Sequence, residues 1–258
     1  MKKIVLLKFG EIILKGLNKR NFEHMLLNSV KKRIAPYGRF KVYALQSTGY
    51  VEPLDEDADV DMAFDACKKV FGLTAVCLSA VCEKDMEKIY PTVTEFLADE
   101  LEAASTFKVE AKRSDKSFPF KSPEICMETG GYILEHFPHL TVDVHNPDVT
   151  VWVEIRDEKA CIHSQPVRGA GGMPCGSNGK AMLLISGGID SPVAGYMMAK
   201  RGLALEGVHF FSYPYTSQRA REKVEELVEK LERGYDDIEK GNVYDAATSF
   251  AKFREMHK

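Results

Sequence analysis

Residues 183–192 read LLISGGIDSP and carry the strongest structural signal of the 258-residue chain. An apolar strand pattern ends in Ser186-Gly187-Gly188, and a helical pattern begins at once after it. Glycines let a ligand approach the backbone closely, and the first turn of a helix offers unpaired N–H groups and the positive end of its dipole. This order of strand, glycine turn and helix predicts a phosphate-binding loop.

The polar residues of the loop suggest how it works. The hydroxyls of Ser186 and Ser191 can donate to phosphate oxygens, and Asp190 can hold a magnesium ion that screens its own charge from the phosphate. The chain lacks a GxxxxGK[ST] pattern, so the loop is not of the Walker type. The alternative is a tight strand-to-helix turn in which Asp190 or Ser191 only caps the helix.

The segments around the loop predict an open parallel sheet. We expect strands at residues 181–185 and 205–211 and helices at residues 191–201 and 216–231, because a β-α-β-α order gives parallel strands with right-handed crossovers. The segment just before them, residues 168–180, contains five glycines and is predicted to be a linker.

Before residue 168, strand and helix patterns are mixed. Strands are predicted at residues 4–9, 40–45, 74–81, 107–111, 141–144, 149–155 and 160–163, and helices at residues 18–35, 60–70, 86–101 and 122–136. This mixture indicates two small α+β units with a boundary near residues 53–60.

The bulk composition limits the class of protein. At 258 residues and 45% hydrophobic the chain can bury a real core, and no apolar run of about 18 residues predicts a membrane span. The basic and apolar first residues fit a buried strand better than a signal peptide. Six cysteines without a CxxC pair indicate reduced thiols, and therefore a cytoplasmic protein.

The charges are segregated along the chain. Residues 1–50 hold 11 Lys or Arg against 2 acids, whereas residues 51–104 hold 4 against 14. A local basic surface is what contact with nucleic-acid phosphates requires, although ordinary solvated faces would also give segregated charge.

Two basic segments are candidate RNA contacts. The first is the loop that contains Lys15 and Arg20, between a strand and a helix. The second, residues 107–122, combines cations with phenylalanines that could stack on a base; its candidates are Lys112, Arg113, Lys116, Phe118 and Lys121. The alternative for this segment is a basic hairpin whose phenylalanines lie in the core.

The loop at residues 186–192 resembles the pyrophosphate loop of the ATP-pyrophosphatases, which adenylate a carbonyl oxygen. This resemblance implies ATP as the cofactor, with its pyrophosphate on Ser186, Gly187, Gly188, Asp190 and Ser191 and Mg²⁺ on Asp190. It places adenosine against the strand ends, at Leu184, Ile185, His209 and Phe210.

Residues 1 to about 231 are similar to one family of this group. The basic loop, residues 112–122, 142–148 and 153–156, the glycine-rich segment and the phosphate loop occur in the same order in the ThiI-type tRNA sulfurtransferases. The resemblance implies an α+β ferredoxin-like domain (residues 1–57), a THUMP domain (58–165), a linker (166–180) and a partial α/β parallel-sheet PP-loop domain (181–232). The likeness ends near residues 231–232, which leaves 233–258 as an unmatched helical tail.

This family implies a function and its partners. THUMP and ferredoxin-like domains hold tRNA, the loop domain adenylates the uridine at the eighth position, and a cysteine persulfide loaded by a cysteine desulfurase supplies sulfur for 4-thiouridine. Some members also supply sulfur for the thiazole of thiamine.

The chain departs from the family in its cysteines. None lies at the family's sulfur-carrying position, so the catalytic residue is unknown. One alternative is a non-catalytic tRNA-binding module with a vestigial nucleotide half-site, and another is an ATP-dependent amide- or thio-forming enzyme that shares only the loop. We also expect an open apolar edge at Val208, Phe210 and Phe211, through which a homodimer could form.

Overall fold

The structure is a computed structural model that describes residues 1–14, 18–185, 188, 190–210, 218, 222 and 224–226. Lys15, Ser186, Gly187, most of the predicted helix at 216–231 and the predicted tail at 233–258 lie outside the described residues. The chain divides into two compact units. One comprises Met1–Leu7, Tyr37–Asp65 and Ala75–Arg168, and the other comprises Lys8–Pro36, Ala66–Thr74 and the chain from Gly169 onward.

The described strands and helices follow the predicted order, with β3 and β9 added and the predicted helix at 86–101 divided into α3 and α4. The strands are β1 (Lys2–Phe9), β2 (Phe40–Leu45), β3 (Thr48–Pro53), β4 (Leu73–Cys82), β5 (Thr106–Arg113), β6 (Thr141–Val142), β7 (Val149–Ile155), β8 (Ala160–His163), β9 (Val167–Arg168), β10 (Lys180–Leu184) and β11 (Ala204–Val208). The helices are α1 (Lys19–Ile34), α2 (Val60–Cys67), α3 (Met86–Phe96), α4 (Ala98–Ala103), α5 (Ser122–His136) and α6 (Asp190–Lys200).

A nine-stranded sheet joins the first nine strands in the order β2-β3-β1-β4-β8-β7-β5-β6, with β9 paired to β4. Its first four strands and α1 and α2 form a β-α-β-β-α-β unit with the strand order β2-β3-β1-β4, which is ferredoxin-like. Since α2 and β4 complete this unit, it extends to Cys82, past the boundary that the sequence placed near residue 57.

The strands β5, β7 and β8 and the helices packed on them enclose a hydrophobic core. Helices α3 and α5 pack on β5 and β8, and Phe107, Ile133, Val151 and Val153 between them are fully buried. Asp85 caps α3 by accepting a hydrogen bond from the backbone N–H of Glu87 at 3.1 Å. The result is an α+β layer arrangement with a complete core.

The predicted glycine-rich linker is an ordered part of the second unit. The backbone N–H of Gly171 donates to the carbonyl of Leu73 at 2.7 Å, and that of Gly72 donates to the carbonyl of Gly171 at 2.9 Å. The side chain of Cys175 packs with Phe71, Ala199 and Leu205 in a small core. These residues therefore anchor the strand pair that follows rather than tether it loosely.

The phosphate-loop region is a parallel pair of strands with one helix. Strands β10 and β11 pair in register from Lys180↔Ala204 to Leu184↔Val208, as the β-α-β pattern predicts. Val208 is 1% exposed, so its predicted place on an open apolar edge is wrong, because the side chain turns into the unit. None of the helices in the described part of the chain is long and apolar enough to cross a membrane.

Candidate nucleotide and RNA-binding sites

The candidate nucleotide site is built from the carboxyl ends of two neighbouring strands. The chain leaves β10 at Leu184, and the backbone N–H of Ile185 donates to the carbonyl of Val208 at 2.8 Å, which continues the pairing by one residue. Helix α6 begins at Asp190. The predicted strand and helix N-terminus are therefore present, while Ser186, Gly187 and Ile189 of the predicted loop lie outside the described residues.

His209 lies at the same edge with one ring nitrogen bonded. Its Nδ1 is 2.9 Å from the carbonyl oxygen of Ile185, and because a carbonyl only accepts, Nδ1 carries the proton. Its Nε2 is buried and has no hydrogen-bond partner among the described residues. A buried acceptor without a partner is costly, so this atom is suited to receive a donor from a ligand.

The other predicted nucleotide contacts differ in their exposure to solvent. Leu184 is 58% exposed and Phe210 is 51% exposed, so both offer apolar surface to a flat ring, whereas Ile185 is buried. Gly188 and Asp190 are exposed and Ser191 is half-buried. Among the predicted contacts, a hydrogen bond brings Ile185 and His209 together, next to the exposed Leu184.

The candidate nucleotide site offers few side chains that could coordinate a metal ion. No group of three or more His, Cys, Asp or Glu residues suitable for a metal occurs in the described part of the chain. Asp190 supplies a single carboxylate at the start of α6. The donor set fits a magnesium ion only if the phosphate oxygens of a nucleotide provide further ligands.

The predicted RNA segment forms the loop between β5 and α5, and two of its residues have structural roles. The Arg113 guanidinium donates to the carbonyls of Phe118 and Phe120, at 2.9 and 3.0 Å, and so shapes the loop. Phe118 is 7% exposed and belongs to the hydrophobic core. The predicted stacking of Phe118 on a base is therefore contradicted, because its ring already fills the core.

The other cations of this loop are accessible. Lys112, Lys116 and Lys121 are exposed, and so is Arg20 in the first turn of α1. Asp115 fixes the loop: its carboxylate pairs with Lys84 at 2.7 Å and accepts hydrogen bonds from Ser117. These donors, the Lys84 ammonium first, hold the pKa of Asp115 well below its usual value. The lysines are thus displayed on a well-defined loop.

The motif at residues 142–148 is structural. Asp143 accepts hydrogen bonds from the backbone N–H groups of His145 and Asn146, at 2.8 and 3.0 Å. Asp148 accepts from the backbone of Ser105 and Thr106, at 3.0 and 2.9 Å. These backbone bonds lower the pKa of both carboxyls and fasten the segment to the start of β5.

The motif at residues 153–156 belongs to a buried charged group that the sequence did not single out. Glu154 pairs with Arg156, and its carboxylate lies 3.6 Å from Nε2 of His163, with all three side chains buried. Burial alone would lower the pKa of His163, but Cys77 and Glu154 beside the ring outweigh it and raise the pKa to about 9. The alternation of β7 and β8 places these residues on one face, but sequence alone does not reveal their pairing.

None of the six cysteines is exposed. Cys67, Cys77, Cys161 and Cys175 are buried, and Cys82 and Cys126 are half-buried. Burial raises the pKa of Cys67 to about 12 and that of Cys161 to about 11, and it also raises the pKa of Cys82 and Cys126. A thiol with a raised pKa is a poor nucleophile at neutral pH.

Three family profiles match the chain in sequence order. They are the ThiI ferredoxin-like domain over residues 4–77, the THUMP domain over residues 83–164 and "Thiamine biosynthesis protein (ThiI)" over residues 176–250. The last match extends beyond residues 231–232, so the predicted end of the likeness there is wrong: residues 233–250 also belong to the matched region.

Curated relatives cover most of this chain. The probable tRNA sulfurtransferase of Acetivibrio thermocellus is 49% identical over 233 residues, which are 90% of this chain and 59% of the relative. That of Clostridium kluyveri is 43% identical over 256 residues, which are 98% of this chain and 64% of the relative. The chain thus spans about three-fifths of the length of the curated relatives it matches.

Solved structures give the same result. A 4-thiouridine synthetase in complex with RNA and bound ATP superposes with a TM-score of 0.79 at 35% identity, over 93% of this chain and 60% of that one. The Pyrococcus horikoshii protein PH1313 superposes with a TM-score of 0.83 at 25% identity, over 99% and 84%. Taken with the three matched domains, these likenesses show that the chain belongs to the ThiI-type tRNA sulfurtransferase family.

Proposed function

We propose that this chain is the tRNA- and ATP-binding part of a tRNA sulfurtransferase that makes 4-thiouridine at the eighth position of tRNA. The observation that carries the proposal is the helix α6, which begins at Asp190 shortly after β10 ends at Leu184, in a chain that matches the ferredoxin-like, THUMP and ThiI profiles. This combination joins a phosphate site to an RNA-binding scaffold.

The reaction requires two bond exchanges at the uracil. The carbonyl oxygen at C4 attacks the α-phosphorus of ATP, and pyrophosphate leaves. The terminal sulfur of a cysteine persulfide, supplied by a cysteine desulfurase, then attacks C4, and AMP leaves with the former carbonyl oxygen. A second thiol then attacks the carrier cysteine, which breaks the S–S bond, releases 4-thiouridine and leaves a disulfide that an external thiol reductant must reduce. Delivery of sulfur to the thiazole of thiamine would draw on the same persulfide.

Two groups of residues bind the two halves of ATP, one the pyrophosphate and the other the adenosine. The backbone and side chains of Ser186, Gly187, Gly188, Asp190 and Ser191 would hold the pyrophosphate, and Asp190 would hold a Mg²⁺ ion that neutralises the phosphate charge. The adenosine lies against Leu184, Ile185, His209 and Phe210. The unpartnered Nε2 of His209 supports this placement, because an adenine amino group can donate to it.

Exposed cations bind the tRNA backbone. Lys112 near the end of β5 and Lys116 and Lys121 on the β5–α5 loop are the principal phosphate contacts, joined by Lys15 and Arg20 near the start of α1. Arg113 shapes the loop through the carbonyls of Phe118 and Phe120 and is not a direct contact. We further propose that the reaction takes place in the cytoplasm. We also propose that the chain forms a homodimer.

A second candidate, a tRNA-binding module without catalysis, is favoured by the cysteines. All six are buried or half-buried, and burial raises the pKa of four of them. Without an accessible thiolate, this chain alone has no group to carry the persulfide. We therefore expect it to bind both substrates and to activate the uridine, but not to complete thiolation.

The test mixes the chain with tRNA, ATP, magnesium and a persulfide-loaded desulfurase. We expect tRNA-dependent release of pyrophosphate and transfer of AMP onto the tRNA, without the near-ultraviolet absorbance of 4-thiouridine. Binding of tRNA and ATP without release of pyrophosphate would select the binding module, and failure to bind ATP at millimolar concentration would overturn the proposal. Thiolated product would show that one of the six cysteines carries sulfur.

A further inference from the structure

The exposed side of α5 carries a line of apolar positions. Met127 is 68% exposed and Leu134 is 38% exposed, and Gly131 lies between them and is exposed as well. Residues three and four apart share one side of a helix, so these three positions form a continuous stripe, the α5 stripe. Ile125 and Ile133, on the other side of the helix, are fully buried in the core. The stripe therefore lies outside the packing of the unit that contains α5.

The packing of the chain does not require a glycine at position 131. A Cβ added to Gly131 would meet no atom within 4 Å, and the residue lies inside the 15-residue helix α5. Glycine destabilises the interior of a helix relative to alanine, so alanine would serve the helix better. What glycine does provide is a gap between the side chains of Met127 and Leu134, in which the backbone of a second helix can approach closely. The stripe thus has the shape of a site for another helix.

The stripe is bordered by acidic side chains. Glu124, Glu128 and Glu135 are exposed, and they form a row along one side of the stripe, the glutamate row. Helices α3, α4 and α5 together carry eight Asp or Glu and one Lys, and all nine residues are exposed. Such a surface repels the phosphates of nucleic acids and anionic lipids and attracts cations. A partner that covers the α5 stripe must therefore be positively charged.

Stacked aromatic rings lie next to the glutamate row. The ring of Tyr132 on α5 stacks on that of Tyr90 on α3, with centroids 4.9 Å apart, and on that of His136, with centroids 4.2 Å apart. Burial, and then the carboxylate of Glu128, raise the pKa of the Tyr90 hydroxyl, which places that carboxylate beside the stack. Arg and Lys side chains of a partner bind where aromatic rings and carboxylates lie together. The rings thus agree with the charge of the helices in favouring a basic partner.

We propose that the α5 stripe is a docking site for a positively charged amphipathic helix of a partner protein. The apolar face of that helix covers Met127 and Leu134, and its backbone approaches α5 at Gly131. Its Arg and Lys side chains pair with the glutamate row and contact the stacked rings. This interaction lies beyond the proposed function, because it uses none of the residues assigned to tRNA or ATP.

A designed peptide tests the charge and the apolar face separately. The probe is a fluorescein-labelled helix of about 18 residues, or about five turns, with leucines along one face and lysines and alanines elsewhere. One control peptide has the same composition with the leucines distributed around the helix, and a second has glutamate in place of lysine. Fluorescence anisotropy with the whole chain should show binding of the probe at least about tenfold tighter than that of the first control, and no binding of the second.

The Gly131→Leu variant tests the gap in the stripe. The leucine closes the gap, so we expect the probe to bind about tenfold more weakly, while the melting temperature rises by about 2 °C because leucine favours the helix. Glu128→Gln/Glu135→Gln should weaken binding about fivefold. Its matched control, Glu56→Gln/Asp57→Asn, also removes two exposed carboxylates, but from the loop between β3 and α2, and should leave the affinity unchanged.

Equal binding of the probe and the first control peptide would show attraction by charge alone and would overturn the docking site. Normal binding of the probe by Gly131→Leu would overturn it as well, and so would a chain that binds none of the three peptides. A filter assay with tRNA keeps this result separate from the proposed function, because Gly131→Leu should bind tRNA normally. If it does not, α5 belongs to the RNA surface and the docking site is wrong. If the unmodified chain does not bind tRNA, only the proposed function falls.

Discussion

The core between β5, β7 and β8 and the strand pair β10–β11 differ in how completely they are buried. Val151, Val153 and Ile155 of β7 are all 0% exposed, whereas β10 contains only half-buried and exposed residues. In α6 the buried positions are Gly195 and Ala199, and Met197 is 62% exposed. The RNA-binding scaffold therefore completes its own core, while the described residues of the phosphate-loop region contribute few fully buried side chains.

This difference has a physical consequence for each region. Fully buried β-branched and aromatic side chains give the scaffold a large hydrophobic contribution, about 1.5–3 kcal/mol for each side chain. The strand pair instead depends on packing against Phe71 and Cys175 of its own unit. Ligand-binding loops are commonly found in such regions of low local stability. We therefore expect changes near the loop to affect nucleotide binding without loss of RNA binding.

The largest effect should come from Gly188→Val. Gly188 is exposed in the glycine turn, and a branched side chain there would occupy the space in which phosphate meets the backbone. We expect the loss of measurable heat of ATP binding in calorimetry at millimolar ATP, with tRNA affinity unchanged. The control is Gly131→Val on α5, where an added Cβ meets no atom within 4 Å. Normal ATP binding by Gly188→Val would contradict the assignment of the loop.

The Gly195→Val variant should lower the thermal stability of the loop region and leave that of the sheet unchanged. A Cβ at Gly195 would lie 2.8 Å from Cδ2 of Leu183, so the Leu183 side chain or α6 itself must shift, and the branches of valine add to this crowding. Such overpacking costs about 1–3 kcal/mol. Thermal unfolding followed by calorimetry should show an earlier transition for the loop region and an unchanged one for the sheet. A single transition shifted as a whole would mean that the two regions unfold together.

We expect the stability of the sheet, but not that of the loop region, to depend on pH. The pKa of His163 is about 9 in the folded chain and about 6.5 when unfolded, so its stabilising contribution is complete below pH 6.5 and is lost as the pH rises through 9. We expect urea unfolding to show a loss on the order of 2 kcal/mol between pH 6.5 and 9.5.

His163→Gln should remove most of this dependence, whereas His139→Gln, at an exposed histidine, should retain it. The same slope in His163→Gln as in the unmodified chain would show that another group titrates.

The same contrast explains what the sequence could predict. Strong periodicity located β2, α5, β7 and β8 with their observed bounds. Strand β3 was missed, because its hairpin turns at Gln46 and Ser47, both with positive φ, without the Asn-Gly pattern that marks such turns. The glycine-rich segment was predicted to be a linker, because composition alone does not reveal the hydrogen bonds that its backbone makes with Leu73 and Gly72.

The candidate sites were predictable where the chemistry is local. The phosphate loop follows from contiguous residues, and the structure places Leu184, Ile185 and His209 at its edge. The RNA segment was only partly predictable, since Phe118 and Phe120 look alike in sequence but Phe118 fills the core. The group around His163 joins β7, β8 and Cys77, and such pairing depends on strand register.

The most direct test of the account is the tRNA affinity of Lys112→Ala/Lys116→Ala, measured beside Lys69→Ala/Lys88→Ala in a filter-binding titration over several salt concentrations. Both double variants remove two exposed lysines, but only the first pair lies at the β5–α5 loop. We predict about tenfold weaker binding and a log–log salt slope smaller by about one to two for the first pair, and near-normal binding for the second. An equal loss in both would show that binding follows net charge alone and that the loop is not the RNA contact.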